Sequence, residues 1–181
     1  MQSMMRDELI QRLKDLDEEA SLLFDNDNVE RLHLIIVGGG ALVLMGVIPR
    51  GTHDIDVIDA SHNLQSIMEK YDINARVQTF INNFPCNYED RIRRLDIDGK
   101  IIDFFTASLE DIVIAKLYSY RDTDHKDITS PDVVNQLDWD LLHHLATADD
   151  EAMSSALNER SYKEFLDSFY EYERRFRPCK S

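Results

Sequence analysis

Asp54 and Asp56 stand two residues apart in the run Asp54-Ile55-Asp56-Val57-Ile58. The alternation predicts a strand with both acids on one face and Ile55 and Val57 on the other. Carboxylates that close repel each other unless a cation lies between them. Oxygen donors of this kind suit Mg²⁺ (or Mn²⁺), and Mg²⁺ keeps several waters and takes its remaining ligands from a substrate phosphate. Gly38-Gly39-Gly40, directly after the apolar run Leu32–Val37, has a complementary use. Without Cβ atoms, backbone N–H groups at a strand-to-helix turn can approach a phosphate closely. A metal-bridged nucleoside triphosphate is the simplest guest of the two features together. Taken singly, each has a plainer explanation, an ordinary glycine turn and a solvated strand face.

Other residues could add to that chemistry. Asp103 lies between Ile102 and Phe104, a context in which a carboxylate needs a partner unless an edge strand solvates it. Lys116 and Arg121, taken alone, are surface charges of an amphipathic helix. Arg91, Arg93 and Arg94 form one compact basic group and Arg174, Arg175 and Arg177 another; each is either a grip on RNA phosphate or solvated charge. His53 is a surface histidine beside Asp54, and His143 and His144 point to different faces of a helix. Gly38-x-Gly40 after a strand also brings a dinucleotide-binding fold to mind. That reading fails, because Val43 holds the third glycine position and Gly46 and Pro49 cut the helix short of a full crossover.

The elements that must position these groups follow from periodicity. Leu9, Ile10, Leu13, Leu16, Ala20, Leu23 and Phe24 recur at helical steps, and Asp25–Asn28 ends that helix. Leu32–Val37 is a buried strand, Ala41–Met45 a short helix, and Leu64, Ile67 and Met68 mark another. Ile73–Phe80 reads as a strand and Asn82–Asp90 as a polar excursion. Leu95–Asp98 and Lys100–Phe105 flank Asp98-Gly99, a two-residue hairpin signal. Ser108 with Asp111 resembles a helix cap, with that helix running to about Tyr120, and Ser130-Pro131 starts a further helix. Leu141–Leu145, Ala152–Leu157 and the stripe Tyr162, Phe165, Leu166, Phe169 and Phe176 complete a helical C-terminal part. The class is therefore α+β, a mixed sheet flanked by helices.

The 181 residues carry 20 Lys+Arg against 35 Asp+Glu, a net charge of −15, and 43% are hydrophobic. That suits one folded core with helical additions and argues against a sequence-independent nucleic-acid binder, which needs a basic footprint. Cys86 and Cys179 are too few for a disulfide framework or a cysteine zinc site. No long apolar window occurs and Met1–Arg6 opens a charged segment, so a cytoplasmic protein with no membrane partner is expected.

Gly38-Gly39, then Arg50-Gly51-Thr52-His53-Asp54-Ile55-Asp56-Val57, then Ile102-Asp103-Phe104 together resemble the nucleotidyltransferase superfamily with the DNA polymerase β-like fold. The ending Arg-x-Thr-x-Asp-x-Asp is similar to bacterial AbiEii-type toxins and their relatives. Those relatives also carry a segment matched by Glu110-Asp111-Ile112, Lys116, Arg121, Asp124 and Asp127, with Thr123 where a lysine is usual. The resemblance covers roughly Leu32–Ile128. It implies a nucleotidyltransferase-like core over 1–128, with a helical part over 129–181 packed on it. It also implies metal-dependent nucleotidyl transfer from a nucleoside triphosphate, with Asp54, Asp56 and Asp103 as the catalytic and metal-binding acids of a two-ion site. Gly38, Gly39, Arg50, Thr52, Lys116, Arg121 and Asp124 would bind the nucleotide. RNA or transfer RNA, a small hydroxylated cation and a protein side chain are the competing acceptors, with a cognate antitoxin as a partner. The alternative is a non-catalytic nucleotide-binding module whose site has decayed, as the Thr123 departure would signal.

Overall fold

A computed structural model describes residues 3–24, 30–75, 83–148 and 159–178. The expected helix stop at Asp25–Asn28, the strand beyond Ala75 and the helix Ala152–Leu157 lie outside these residues. The chain forms two units, Met1–Thr79 with Ile92–Ala107, and Phe80–Arg91 with Ser108–Ser181.

The first unit opens with α1 (Arg6–Phe24), which buries Leu9, Leu13, Leu16 and Ala20 at the predicted spacing. β1 (Leu32–Val37) is followed without a loop by α2 (Gly38–Leu44), then by β2 (Ile55–Ala60), α3 (Gln65–Met68), β3 (Ile73–Asn74), β4 (Arg93–Arg94) and β5 (Ile102–Thr106). The five strands lie in the order β3-β2-β1-β5-β4. β1 runs antiparallel to β2 and parallel to β5. Leu34, Ile36, Ile102 and Phe104 are buried on one sheet face, and α1 spends its apolar side on α2 and α3.

Two local expectations need correction. The short helix begins at Gly38 instead of Ala41, because Gly38 takes φ +67° and turns the extended chain of Val37 straight into the first helical turn. The Asp98-Gly99 pair does not close a two-residue hairpin. Cross-strand bonding ends where Leu95 N–H donates to Phe104 O at 2.8 Å. Beyond it, the buried Asp17 carboxylate accepts the amides of Lys100 at 2.6 Å, Ile101 at 3.1 Å and Ile102 at 2.8 Å. A carboxylate that satisfies three amides removes the need for a ladder there, and the loop widens.

In the second unit Ser108 Oγ accepts from Asp111 N and starts α4 (Leu109–Leu117), and Ser130 accepts from Val133 N and starts α6 (Pro131–Val134), as the caps predict. α4 stops short of Tyr120 because Ser119 Oγ accepts Arg121 N–H at 3.2 Å and donates to Asp124 at 2.7 Å, leading into α5 (Asp122–Ile128). α7 (Trp139–Thr147) is capped by Asp138, and α8 (Glu159–Phe176) follows. The aromatic stripe of α8 is covered within this unit by the α4 end and α7. Tyr118 stacks on Phe165 with centroids 4.3 Å apart, and Trp139 on Tyr172 at 5.4 Å. α4 packs against α5, α7 and α8, and residues 109–128 group with the C-terminal helices in the second unit. Among the described residues no helix is long and apolar enough to cross a membrane.

Candidate functional site

The antiparallel register sets Val37 opposite Asp56, so the glycine turn that leaves β1 meets the acids that open β2. The contact is tight. A Cβ on Gly38 would lie 3.1 Å from Asp56 Oδ2, and one on Gly40 would lie 3.3 Å from the Asp54 carbonyl. A Cβ on Gly39 would stand 3.5 Å from both Arg50 Nη2 and Thr52 Oγ1, filling the hollow between a guanidinium and a hydroxyl. Thr52 Oγ1 donates to Asp54 O at 3.3 Å, and Asn74 Nδ2 donates to Asp56 Oδ1 at 3.2 Å across the parallel β2–β3 pair. Asp54 is exposed just before β2, and Asp56 is half-buried inside it. Gly38, Gly39, Arg50, Thr52, Asp54 and Asp56 thus converge on one corner of the first unit. His53 is exposed beside them.

Asp103 does not join that corner. It pairs in register with His33, whereas Asp56 pairs with Val37, four residues further along β1. Paired and alternate residues share a sheet face, so both acids face the same way. At about 3.3 Å per residue and about 4.8 Å per strand they are nevertheless ~16 Å apart, and two ligands of one Mg²⁺ must lie within about 4 Å of each other. Asp103 is already compensated. Arg31 grips both its oxygens, Nε and Nη2 each at 2.9 Å, and Arg94 Nη2 adds a bond at 2.6 Å. The Arg31 hydrogen bonds, with help from Arg94 and against partial burial, hold the Asp103 carboxyl below the usual carboxylate range. The structure thus places Asp103 in a sheet ion pair, apart from the corner that holds Asp54 and Asp56. Among the described residues no group of three or more His, Cys, Asp or Glu side chains could hold a metal.

The Glu110–Asp127 segment is an internal brace of the second unit. Asp111 accepts a two-pronged Arg91, Nε at 3.0 Å and Nη2 at 2.8 Å. Glu110 Oε1 accepts the amide of Asp138, the residue that caps α7, at 2.9 Å. Lys116, 6% exposed, donates to Asp124 and, at 3.0 Å, to Asp127. Burial pushes the Asp124 carboxyl up, but hydrogen bonds from Lys116 and Ser119 outweigh it and leave the group below its ordinary range. Lys116 and Asp124 are thus engaged with each other within the second unit. Arg121 is exposed, its Nε 3.7 Å from Asp124.

The model of one family, described as nucleotidyltransferase of unknown function (DUF6036), matches residues 11–177. The chain belongs to that family. None of the curated proteins and none of the solved structures matches it. For this nucleotidyltransferase-family chain, sequence reasoning did not reach Asn74, Arg31 or Arg91 as partners of the acids. Asn74 and Arg31 depend on strand register, which no short motif encodes. Arg91 was visible as a basic residue, but its carboxylate partner lies across an excursion in the chain.

Proposed function

We propose that the chain transfers a nucleotidyl group from a nucleoside triphosphate to an acceptor hydroxyl, at the corner formed by Gly38, Gly39, Arg50, Thr52, Asp54 and Asp56. The observation that carries this reading is the close seating of Gly38 on the Asp56 carboxylate, in a chain of a nucleotidyltransferase family.

The donor set fits Mg²⁺, since Asp54 and Asp56 offer hard oxygens and this ion needs only one or two protein carboxylates when waters and phosphates supply the rest. Bound there, the ion would neutralise the phosphates and the departing pyrophosphate. The chain's own groups do the remainder. Arg50, flanking the hollow at Gly39, holds phosphate oxygens by charge and hydrogen bond, and Thr52, on the other side of that hollow, gives its hydroxyl proton to Asp54 O and holds the loop that carries both. The glycines keep side chains out of that hollow. Asn74 fixes the rotamer of Asp56.

A small hydroxylated cation is the acceptor this surface favours. The net charge is −15, and three arginines that RNA would require are engaged with carboxylates: Arg91 with Asp111, Arg94 with Asp103, and Arg177 with Glu173 and Asp140. The test incubates the protein with each α-labelled triphosphate and Mg²⁺, in separate arms with amino sugars, total RNA and a protein extract. Label should move to the amino sugar, only with a divalent ion, and not in Asp56→Asn. Transfer to RNA or protein would redirect the acceptor assignment, and undiminished transfer by Asp56→Asn would overturn the site.

A further inference from the structure

The loop that carries Arg50, Thr52 and Asp54 is held from outside by the segment before α1. Met4 and Thr52 form an isolated antiparallel bridge with both main-chain bonds made, Met4 N–H to Thr52 O at 2.6 Å and Thr52 N–H to Met4 O at 2.9 Å. Both residues are buried, at 7% and 6% exposure. Gly51 is what lets the two backbones meet, because a Cβ there would lie 2.6 Å from Met4 O and 3.0 Å from Met4 C, and these backbone atoms cannot swing aside. Arg6 Nε, two residues on, donates to the Leu44 carbonyl at the end of α2 at 2.9 Å. Met5 N–H donates to Glu8 Oε2 at 2.7 Å, tying the segment into the first turn of α1. α1 is anchored in turn by the fully buried Leu9, Leu13 and Leu16.

We infer that Met4 and Gly51 are positioning residues for the nucleotide site, a main-chain brace that fixes Thr52 and, through it, Arg50 and Asp54. The inference rests on the function proposed above. Thr52 is the relay. Its backbone is locked by Met4, and its hydroxyl both donates to Asp54 O and borders the hollow at Gly39. Without the brace, a loop bearing an exposed arginine and an exposed aspartate would sample many geometries, and each would bind a phosphate less well than the one held in place.

The brace is main chain, so its test separates backbone from side chain. Gly51→Ala forces Met4 away, Met4→Pro removes one bridge donor, and Met4→Leu keeps the bridge and the buried apolar volume. Binding of Mg²⁺ with ATP, GTP, CTP and UTP is measured by calorimetry alongside thermal melting, with Asp56→Asn as the reference. The expected result is at least tenfold weaker binding in Gly51→Ala and Met4→Pro, near-parent binding in Met4→Leu, and native-like folding of all three at the assay temperature. Parent affinity in folded Gly51→Ala, with Asp56→Asn impaired, overturns the brace while leaving the site standing. Affinity lost equally in Met4→Leu also overturns it, since the effect would then follow the side chain. Parent affinity in Asp56→Asn overturns the nucleotide site itself.

Discussion

Gly38 and Asp56 are neighbours across the β1–β2 corner, so close that a Cβ on the glycine would lie 3.1 Å from Oδ2 and the carboxylate would have to shift by a few tenths of an ångström. Gly38 also sits at φ +67°, where an L-residue is strained by about 1–2 kcal/mol. Gly38→Ala should therefore lower stability by roughly that amount and displace the Asp56 carboxylate. Transfer should fall much further than the fraction unfolded can explain. Melting curves and turnover measured on one sample decide it, and parent turnover would show that the corner tolerates a methyl group.

Asp54 and Asp56 should respond alike in activity and differently in stability. Asp54 is exposed, so Asp54→Asn should change folding free energy by less than about 0.5 kcal/mol. In Asp56→Asn the amide of Asn74 can turn to keep a bond to the new side chain, and relief of carboxylate repulsion offsets what is lost. Both variants should fold and both should lose Mg²⁺-dependent transfer. Denaturant melts without metal, beside the labelled-triphosphate assay, would expose either acid as structural.

The sequence makes local decisions legible and pairing decisions obscure. Leu32–Val37 is a strand with the bounds that its apolar run predicts, and Ser108 and Ser130 cap the helices that follow them, because each outcome is settled within a few residues. The conjunction of Gly38 with Asp56 is legible for a similar reason: a short strand–helix–strand stretch with antiparallel strands leaves little choice of where they meet. Asp103 shows the limit. Its apolar neighbours predict a strand correctly, but its place along β1 is set by parallel register with His33, and the Arg31 that neutralises it is remote in sequence. Asp17 likewise reshapes the 95–101 loop from another element.

Asp103→Asn should leave transfer near the parent level and cost stability. Removing the charge leaves Arg31 and Arg94 without this carboxylate, a loss of about 0.5–1 kcal/mol because both arginines are exposed and screened by solvent. The pH dependence has a definite sign. The folded pKa is depressed by the Arg31 bonds, so the stabilisation is fully present above the unfolded carboxyl value of about 3.9 and is lost as pH falls through the folded value. Parent and variant melting temperatures should differ at neutral pH and converge below about pH 4. A gap independent of pH would mean that Asp103 acts by packing.

Lys116→Met should be the most damaging of the charge deletions. It removes the buried ammonium that Asp124 and Asp127 share, at a cost of about 3–5 kcal/mol. In the parent, Asp124 is held below its usual range by hydrogen bonds that outweigh burial, so its contribution is lost only as pH falls through that depressed value. Without Lys116 the hydrogen bond from Ser119 and the charge of Arg121 remain, but burial weighs more heavily and the carboxyl moves up. The variant's Asp124 should therefore titrate above the parent's, and the stability gap between the two should narrow as pH falls through the variant's higher value. Adding Asp124→Asn and Asp127→Asn should recover much of the loss; a triple variant as unstable as the single one would mean that the lysine stem, not its charge, matters.

Phe169 is fully buried, packed between Phe165 at 6.3 Å and His143 at 5.8 Å, and Phe169→Ala should cost about 3–5 kcal/mol. Deletion of residues 161–181 goes further. It removes the rings that cover Tyr118 and Trp139 and the Tyr172 hydroxyl that donates to Ile128 O at 2.6 Å. Trp139 is the single tryptophan of the chain and stacks on Tyr172, so its fluorescence reports on the second unit. In the truncated protein that emission should shift to the red at temperatures where the parent is native, and the exposed apolar surface should drive self-association. Parent emission together with a parent melting temperature would show that α4 and α7 hold together without α8.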